Sequence, residues 1–255
     1  MAHPYDGTAA VVVPQSVEKI PLYHWRPGAR VLSVGSRDGT LFDGAIPADE
    51  ARTFHRPLSP ELISRAAERC GISTWAATWS ESLRYPQGLQ MLQDSGLRDG
   101  VVASAGQGSF ELLTRLLDGA VAAWSLLIDA SQPPPPLAKQ ILQEGRHVEV
   151  VLGLSGQPHA ALMAALPWSQ AAAIHLKPLR ASLAVGQDLA AWEDAAMAAL
   201  PGDSWVYHSR QQVTSCAACG AELVWRHAGK SRLAALKPAS DNCAACAARS
   251  PIRWL

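Results

Sequence analysis

Short, continuously apolar runs alternate with longer segments of helical period along most of this chain. Val31–Ser36 (VLSVGS) reads as a buried strand. Ser59-Pro60-Glu61 then opens a helix, with Ser59 as N-cap and Pro60 at the first helical position. Leu62, Ile63, Ala66 and Ala67 form its apolar face, and Gly71 after Cys70 suits a left-handed terminus. Ile72–Trp79 predicts the next strand, followed by a helix from Glu81 to Ser95. Gly100–Ala105, Ala122–Ile128, His147–Leu154, Ala172–Leu176 and Ser204–Tyr207 read as further strands. Ser109–Leu117, Leu137–Glu144, His159–Leu166 and Leu189–Leu200 read as helices. Pro133 to Pro136 can enter neither a helix interior nor a central strand, so they form a stiff loop.

Strands that alternate with helices and are apolar on both sides predict an α/β fold with a parallel sheet covered on both faces. About seven such repeats fit a partial β/α barrel better than a short open sheet, with a doubly wound sheet as the alternative. The pattern stops at Tyr207. The expected organisation is an extension over 1–16, a barrel over 17–210 and a small module over 211–255.

The 255 residues are 48% hydrophobic and 17% charged, enough apolar material for a sizeable core. Lys+Arg 22 balances Asp+Glu 22, so the basic surplus of a dedicated nucleic-acid binder is missing. Met1 to Pro14 has no basic start and no long apolar run, and no stretch approaches the roughly 20 residues of a membrane helix. These features predict a cytoplasmic chain with no membrane contact.

Four of the five cysteines form two C-x-x-C pairs near the end: Cys216 with Cys219, and Cys243 with Cys246. Each pair turns two thiolates to one side of a tight loop, and two such turns make a four-sulfur tetrahedron suited to Zn2+. Gly220 fits the positive φ such a turn often needs, and Ala221–Arg226 between the pairs reads as a hairpin strand. The expectation is a structural zinc ribbon. It would be closed to catalysis, and it would fold a tail too small for its own core. Reduced thiols without a role, or a redox pair, are the alternatives.

The run Val17 to Gly28 (VEKIPLYHWRPG), leading into VLSVGS, resembles the lead-in to the first barrel strand of a radical SAM family. This is the pyruvate-formate-lyase-activating-enzyme-like family of the AmmeMemoRadiSam system. The tail is similar too: C-x-x-C-G, an apolar strand ending in Arg226, the second C-x-x-C, then Pro251 and Trp254. His147–Val150, Ala173–Leu176 and Ser204–Tyr207 resemble its later strands, so the likeness covers about residues 17 to 255. It implies a radical-SAM-like barrel with partners that are Memo-like or AMMECR-like proteins. That family holds a 4Fe–4S cluster on three cysteines in the loop after the first strand. Here the three positions fall on Gly39, Asp43 and Ile46. Glycine and isoleucine have no ligand atom, so no cluster is expected. Cys70 would lie at the opposite pole of the barrel.

The family's pocket motifs are also altered. Thr78 and Glu81 remain in Thr78-Trp79-Ser80-Glu81-Ser82, Ser104-Ala105-Gly106 stands for Thr-Asn-Gly, and both charges are lost near Trp124-Ser125-Leu126. The resemblance therefore offers Thr78, Glu81, Ser104 and Gly106 as ligand-binding candidates. A barrel presents its strand C-terminal ends to ligands, which adds Arg37, Asp38, Asp129, Ser155, Lys177 and His208 to the rim. His175 and Lys177 share a strand face and suit an anion, while a hydrogen-bonded core histidine is the other reading of His175. No phosphate-binding loop, zinc-protease or nucleophile-elbow motif is present. Among nine tryptophans, Trp75 and Trp205 read as core. Trp25, Trp168 and Trp254 are candidates for exposure at a protein interface, or for packing the module onto the barrel.

These readings converge on a catalytically degenerate scaffold or partner subunit with structural zinc, with SAM-like binding at the rim as a residual option. The alternatives are an enzyme with cluster-independent chemistry at the barrel mouth, or a zinc-ribbon nucleic-acid binder using Arg226, His227, Lys230, Arg232 and Lys237.

Overall fold

The computed structural model describes residues 6–35, 55–79, 81–179, 189–208, 213–227, 230–237 and 240–254. Two short strands, β1 (Thr8–Ala9) and β4 (Arg56–Pro57), pair antiparallel at one side. The main sheet is built from β2 (Val11–Ser16), β3 (Arg30–Gly35), β5 (Thr74–Ala77), β6 (Asp99–Ser104), β7 (Val121–Asp129), β8 (Val148–Leu154), β9 (Ala173–Pro178) and β10 (Val206–Tyr207). These eight strands lie in the order β10-β9-β8-β7-β6-β5-β3-β2. From β3 onward every pairing is parallel, and β2 runs antiparallel to β3. Each strand lies beside its neighbour in sequence. The reversal of order that defines a doubly wound sheet does not occur, and that alternative is corrected. Val11–Ser16, in the stretch read as an extension, is the edge strand of this sheet. Pro14 is tolerated there because an edge strand has one unpaired side.

Among the described residues, six helices connect the strands: α1 (Pro60–Cys70), α2 (Pro86–Asp94), α3 (Phe110–Asp118), α4 (Ala138–Glu144), α5 (Ala160–Ala165) and α6 (Leu189–Ala199). At the start of α1 the Ser59 hydroxyl accepts the Leu62 N–H at 3.2 Å, and Gly71 closes the helix with φ 62°. Ile63 and Ala67 are buried as the periodicity requires, whereas Leu62 is 42% exposed. The helix expected from Glu81 begins late. Ser82–Arg84 makes one 3-10 turn, and the α-helix starts at Pro86, whose ring cannot donate a hydrogen bond.

The two faces of the sheet are covered differently. Ile63, Leu89, Leu113, Ile141, Leu162 and Ala196, all from helices, pack with Leu32, Trp75, Val102, Leu126, Val150 and Ile174 into one core. The opposite face is covered by the chain itself. Val17, Ile20, Leu22 and Trp25 pack on Val31, Ala76, Val101, Ala123, Leu127 and Val151. Residues 17–28 thus form a strap beneath the sheet. Adjacent strands fit closely: a Cβ at Gly100 of β6 would stand 2.1 Å from the ring of Trp75, its partner on β5.

The C-terminal module is a three-stranded antiparallel sheet of β11 (Val213–Ser215), β12 (Glu222–His227) and β13 (Lys230–Leu233). Its own small core gathers Leu223, Val224, Leu236 and Ile252 around Cys216 and Cys243. The chain then returns to the strap. The Arg26 N–H donates to the Arg253 carbonyl at 2.7 Å, and the Arg253 N–H donates to the His24 carbonyl at 2.6 Å. Trp25 and Trp168 are buried, which corrects their expected exposure; Trp254 is half-buried, its indole N–H on the Ser240 carbonyl at 2.9 Å. The exposed tryptophan is Trp225, at 46%. Among the described residues, no helix is long and apolar enough to cross a membrane.

Candidate metal centre and buried polar floor

The two C-x-x-C turns fold identically. Gly220 N–H returns to the Cys216 carbonyl at 2.8 Å, and Ala247 N–H returns to the Cys243 carbonyl at 2.9 Å. Cys216 N–H donates to the Ala221 carbonyl and Cys243 N–H to the Ala248 carbonyl, both at 2.8 Å. Each turn needs a left-handed residue after its second cysteine: Gly220 has φ 72°, and Ala247 has φ 61°. The turns bring four sulfurs within 4.8 Å of one another. Cys216 and Cys246 stand 3.6 Å apart, and Cys219 and Cys243 3.8 Å apart. Zinc–sulfur bonds of about 2.3 Å at tetrahedral angles place ligand sulfurs about 3.8 Å apart. The donor set therefore fits a metal ion of zinc's size and preference. The N–H groups of Cys219 and Ala218 point at the Cys216 sulfur and hold its thiol down to about 7, while Cys246, despite the Ala248 N–H, is pushed up to about 12 by its contacts with the other sulfurs. Cys216 and Cys243 are buried, and Cys219 and Cys246 are exposed.

A second concentration of polar chemistry lies under the sheet, where strap, strands and ribbon meet. Glu149 interrupts the apolar run of β8 and is fully buried. Its carboxylate accepts from the Tyr23 N–H at 2.7 Å, the His24 N–H at 2.8 Å, His147 Nε2 at 2.9 Å and His175 Nε2 at 2.8 Å. Burial opposes its charge, but the hydrogen bonds from His147 and His175 outweigh burial and hold the carboxyl well below its usual range. A directional chain runs beside it. Arg226 Nη1 donates to Thr214 Oγ1 at 2.7 Å, which meets the Tyr207 hydroxyl at 2.7 Å, which meets His24 Nε2 at 2.7 Å. His24 Nδ1 faces the Ala172 carbonyl at 2.9 Å and must carry the hydrogen, so Nε2 is the acceptor of a neutral ring. Burial lowers the His24 pKa to about 3, in agreement. Arg226 also donates to the Tyr23 carbonyl, and its guanidinium lies 4.4 Å from the centre of the Tyr23 ring.

Of the ligand-binding candidates, Glu81 and Ser104 are joined by an antiparallel backbone bridge, and Ser104 in turn holds Gly106. Thr78 donates to the Val34 carbonyl at 3.0 Å and accepts from Ser33 at 3.1 Å, locking β3 to the end of β5. Glu81 is on the surface, 3.4 Å from Arg84, and makes no helix cap. The Ser104 hydroxyl accepts the Gly106 N–H at 3.0 Å, inside a turn where Gly106 has φ 69°. His175 is a hydrogen-bonded core histidine, stacked on Tyr207 at 5.3 Å and held by Glu149. Lys177 is half-buried on the same strand face, and burial lowers its pKa. It stands level with Gly153 and, one strand further, Asp129. Asp129 Oδ1 accepts from Ser131 Oγ at 2.8 Å and Ser155 Oγ at 2.6 Å, and His208 pairs with Glu193 at 3.5 Å. Gly39, Asp43, Ile46, Arg37 and Asp38 lie outside the described residues.

Of the ribbon's basic residues, Arg226 is buried and committed to the floor, while Arg232 and Lys237 are exposed. The floor itself went unread in the sequence, although one signal was present: a lone carboxylate in the apolar run VEVVLGL. Comparison of the chain with known proteins finds no matching family model, no matching curated protein and no matching solved structure.

Proposed function

We propose that the chain is a radical-SAM-like α/β scaffold, a barrel opened along one side. It carries a structural zinc in its ribbon and acts as a non-catalytic partner subunit. The reading is supported by the placement of sulfur. Four of the five cysteines converge in the ribbon. The fifth, Cys70, ends α1 on the way into β5, at the opposite pole from the end of β3 where the family's cluster loop begins. Residues 36–54, which follow β3 in the sequence, contain no cysteine. Iron–sulfur clusters are held by thiolates, so the segment after β3 supplies none of the ligands on which that family's reductive SAM cleavage rests. The singly wound strand order accords with a barrel-derived scaffold, and the ribbon closes the end away from the rim. Partners of Memo-like or AMMECR-like type are the expected company.

The test is anaerobic reconstitution with iron and sulfide, followed by SAM and a strong reductant. The expected result is no cluster absorption and no SAM cleavage, with the ribbon zinc retained. A stable cluster with SAM turnover overturns the reading. A tagged chain that brings down a Memo-like or AMMECR-like protein in fixed ratio supports the partner role, and a chain that purifies alone from its native cell counts against it.

A further inference from the structure

Beside the polar floor, at the N-terminal ends of β8, β9 and β10, lies a cavity of about 230 Å³. His147, Ala172, Asp203, Ser204, Trp205 and Arg253 line it. Its charged groups are of both signs and are not spent on each other. Asp203 is exposed, and among the described residues its carboxylate takes part in no hydrogen bond and no ion pair. Arg253 directs only Nη1 at protein, to the Ser250 carbonyl at 3.4 Å and the Ile252 carbonyl at 3.3 Å, which leaves Nε and Nη2 as donors.

His147 is held differently. Its Nε2 is given to Glu149 at 2.9 Å. That contact fixes the ring plane and makes Nδ1 an acceptor in the neutral ring. Nδ1 has no partner among the described residues. The Ser204 hydroxyl is buried with no hydrogen-bond partner, closed off behind the wall and making no claim on the charged groups of the cavity.

We propose that this cavity binds a zwitterion of amino-acid size, a free α-amino acid. Its carboxylate lies on the open edge of Arg253, its ammonium lies between Asp203 and His147 Nδ1, and its side chain lies against Trp205 and Ala172. A simple anion would leave Asp203 facing like charge, and a simple cation would meet Arg253. Only a molecule carrying both signs satisfies all three groups. The volume falls below the roughly 300 to 1,000 Å³ of sites that enclose drug-sized ligands, which limits the occupant to a small one. The site is remote from the rim at the strand C-terminal ends. It does not depend on the chain's being non-catalytic.

The experiment is calorimetric titration of the full, zinc-replete chain with each standard L-amino acid, repeated with the N-acetyl and methyl-ester forms of any that bind. At least one amino acid is expected to bind, and blocking either end is expected to weaken it by about tenfold or more, because each end carries a charge-assisted hydrogen bond. Asp203→Asn and Arg253→Gln should each weaken binding by a similar factor while leaving the thermal midpoint in place. Failure of every amino acid to bind overturns the proposal. So does equal binding of the blocked forms, or binding that survives both substitutions in folded protein.

Discussion

At the scale of single residues, the clearest strain is Ala247. It adopts φ 61° where its counterpart in the other turn is Gly220 at φ 72°. The left-handed conformation costs an L-residue about 1–2 kcal/mol. Ala247→Gly is therefore expected to stabilise the ribbon by about 1 kcal/mol, and Gly220→Ala to weaken it by a similar amount, read as metal retention against a chelator. Glu149 carries more. Four donors face its carboxylate, and Glu149→Gln would turn an amide N–H₂ toward donors that need an acceptor. The expected loss is about 3–5 kcal/mol in urea unfolding. A loss below about 1 kcal/mol would show that the floor is not held through this carboxylate. The histidines set the pH response. His24 has a folded pKa near 3, against about 6.5 in the unfolded chain. The unfolded chain thus takes up a proton that the folded one refuses. This contribution is intact above about pH 6.5 and is lost as pH falls toward 3, reaching about 3 kcal/mol at pH 4.5 from His24 alone. Glu149, with its pKa depressed, adds stability above about pH 4.5 that is lost through its own lower titration, so both act in the same direction. Unfolding midpoints measured between pH 8 and 4.5 should fall steeply. In His24→Asn the slope should flatten.

At the scale of elements, legibility in the sequence followed how local each determinant was. Helix α1 was readable because Ser59, Pro60 and Gly71 state its two ends within the helix's own length. The cysteine turns were readable for the same reason, since C-x-x-C is a contact between near neighbours. Strand β2 was not, because three valines and a proline have neither the length nor the alternation of a strand, and only pairing with β3 makes them one. The strap and the floor depend on contacts far apart in the chain: His24 with Tyr207, Tyr23 with Arg226, Trp25 with Arg253. No periodicity within one segment encodes these. The resemblance did single out Tyr23, His24 and Trp25 at one end, and Arg226 and Trp254 at the other. What it did not supply is that the two motifs touch. Arg226 is the element-scale bolt between ribbon and strap, its guanidinium on the Tyr23 carbonyl and ring. Arg226→Met should raise hydrogen exchange in β11, β12 and β13 while β6, β7 and β8 keep their protection. Uniform exchange across both would show the ribbon and sheet to be one cooperative unit without it.

At the scale of the whole molecule, polar groups concentrate beneath the sheet, and metal-binding capacity concentrates in the ribbon that closes that end. Helices bury one face of the sheet, the strap buries the other, and the last residues of the described chain pair with the strap. A ribbon whose core is only a handful of side chains around two of the cysteines gains most of its folding free energy from the metal we propose for it. Removing that metal should therefore unfold β11, β12 and β13 and loosen the strap, leaving the helix-covered core intact. The central claim concerns sulfur: four of the five cysteines converge in the ribbon, where we propose that they hold zinc, and residues 36–54 after β3 supply none for the family's cluster. Its most direct test is elemental analysis and native mass spectrometry of the protein purified without added metal. The account predicts one zinc per chain with neither iron nor acid-labile sulfide. Iron and sulfide in stoichiometric amounts would contradict it.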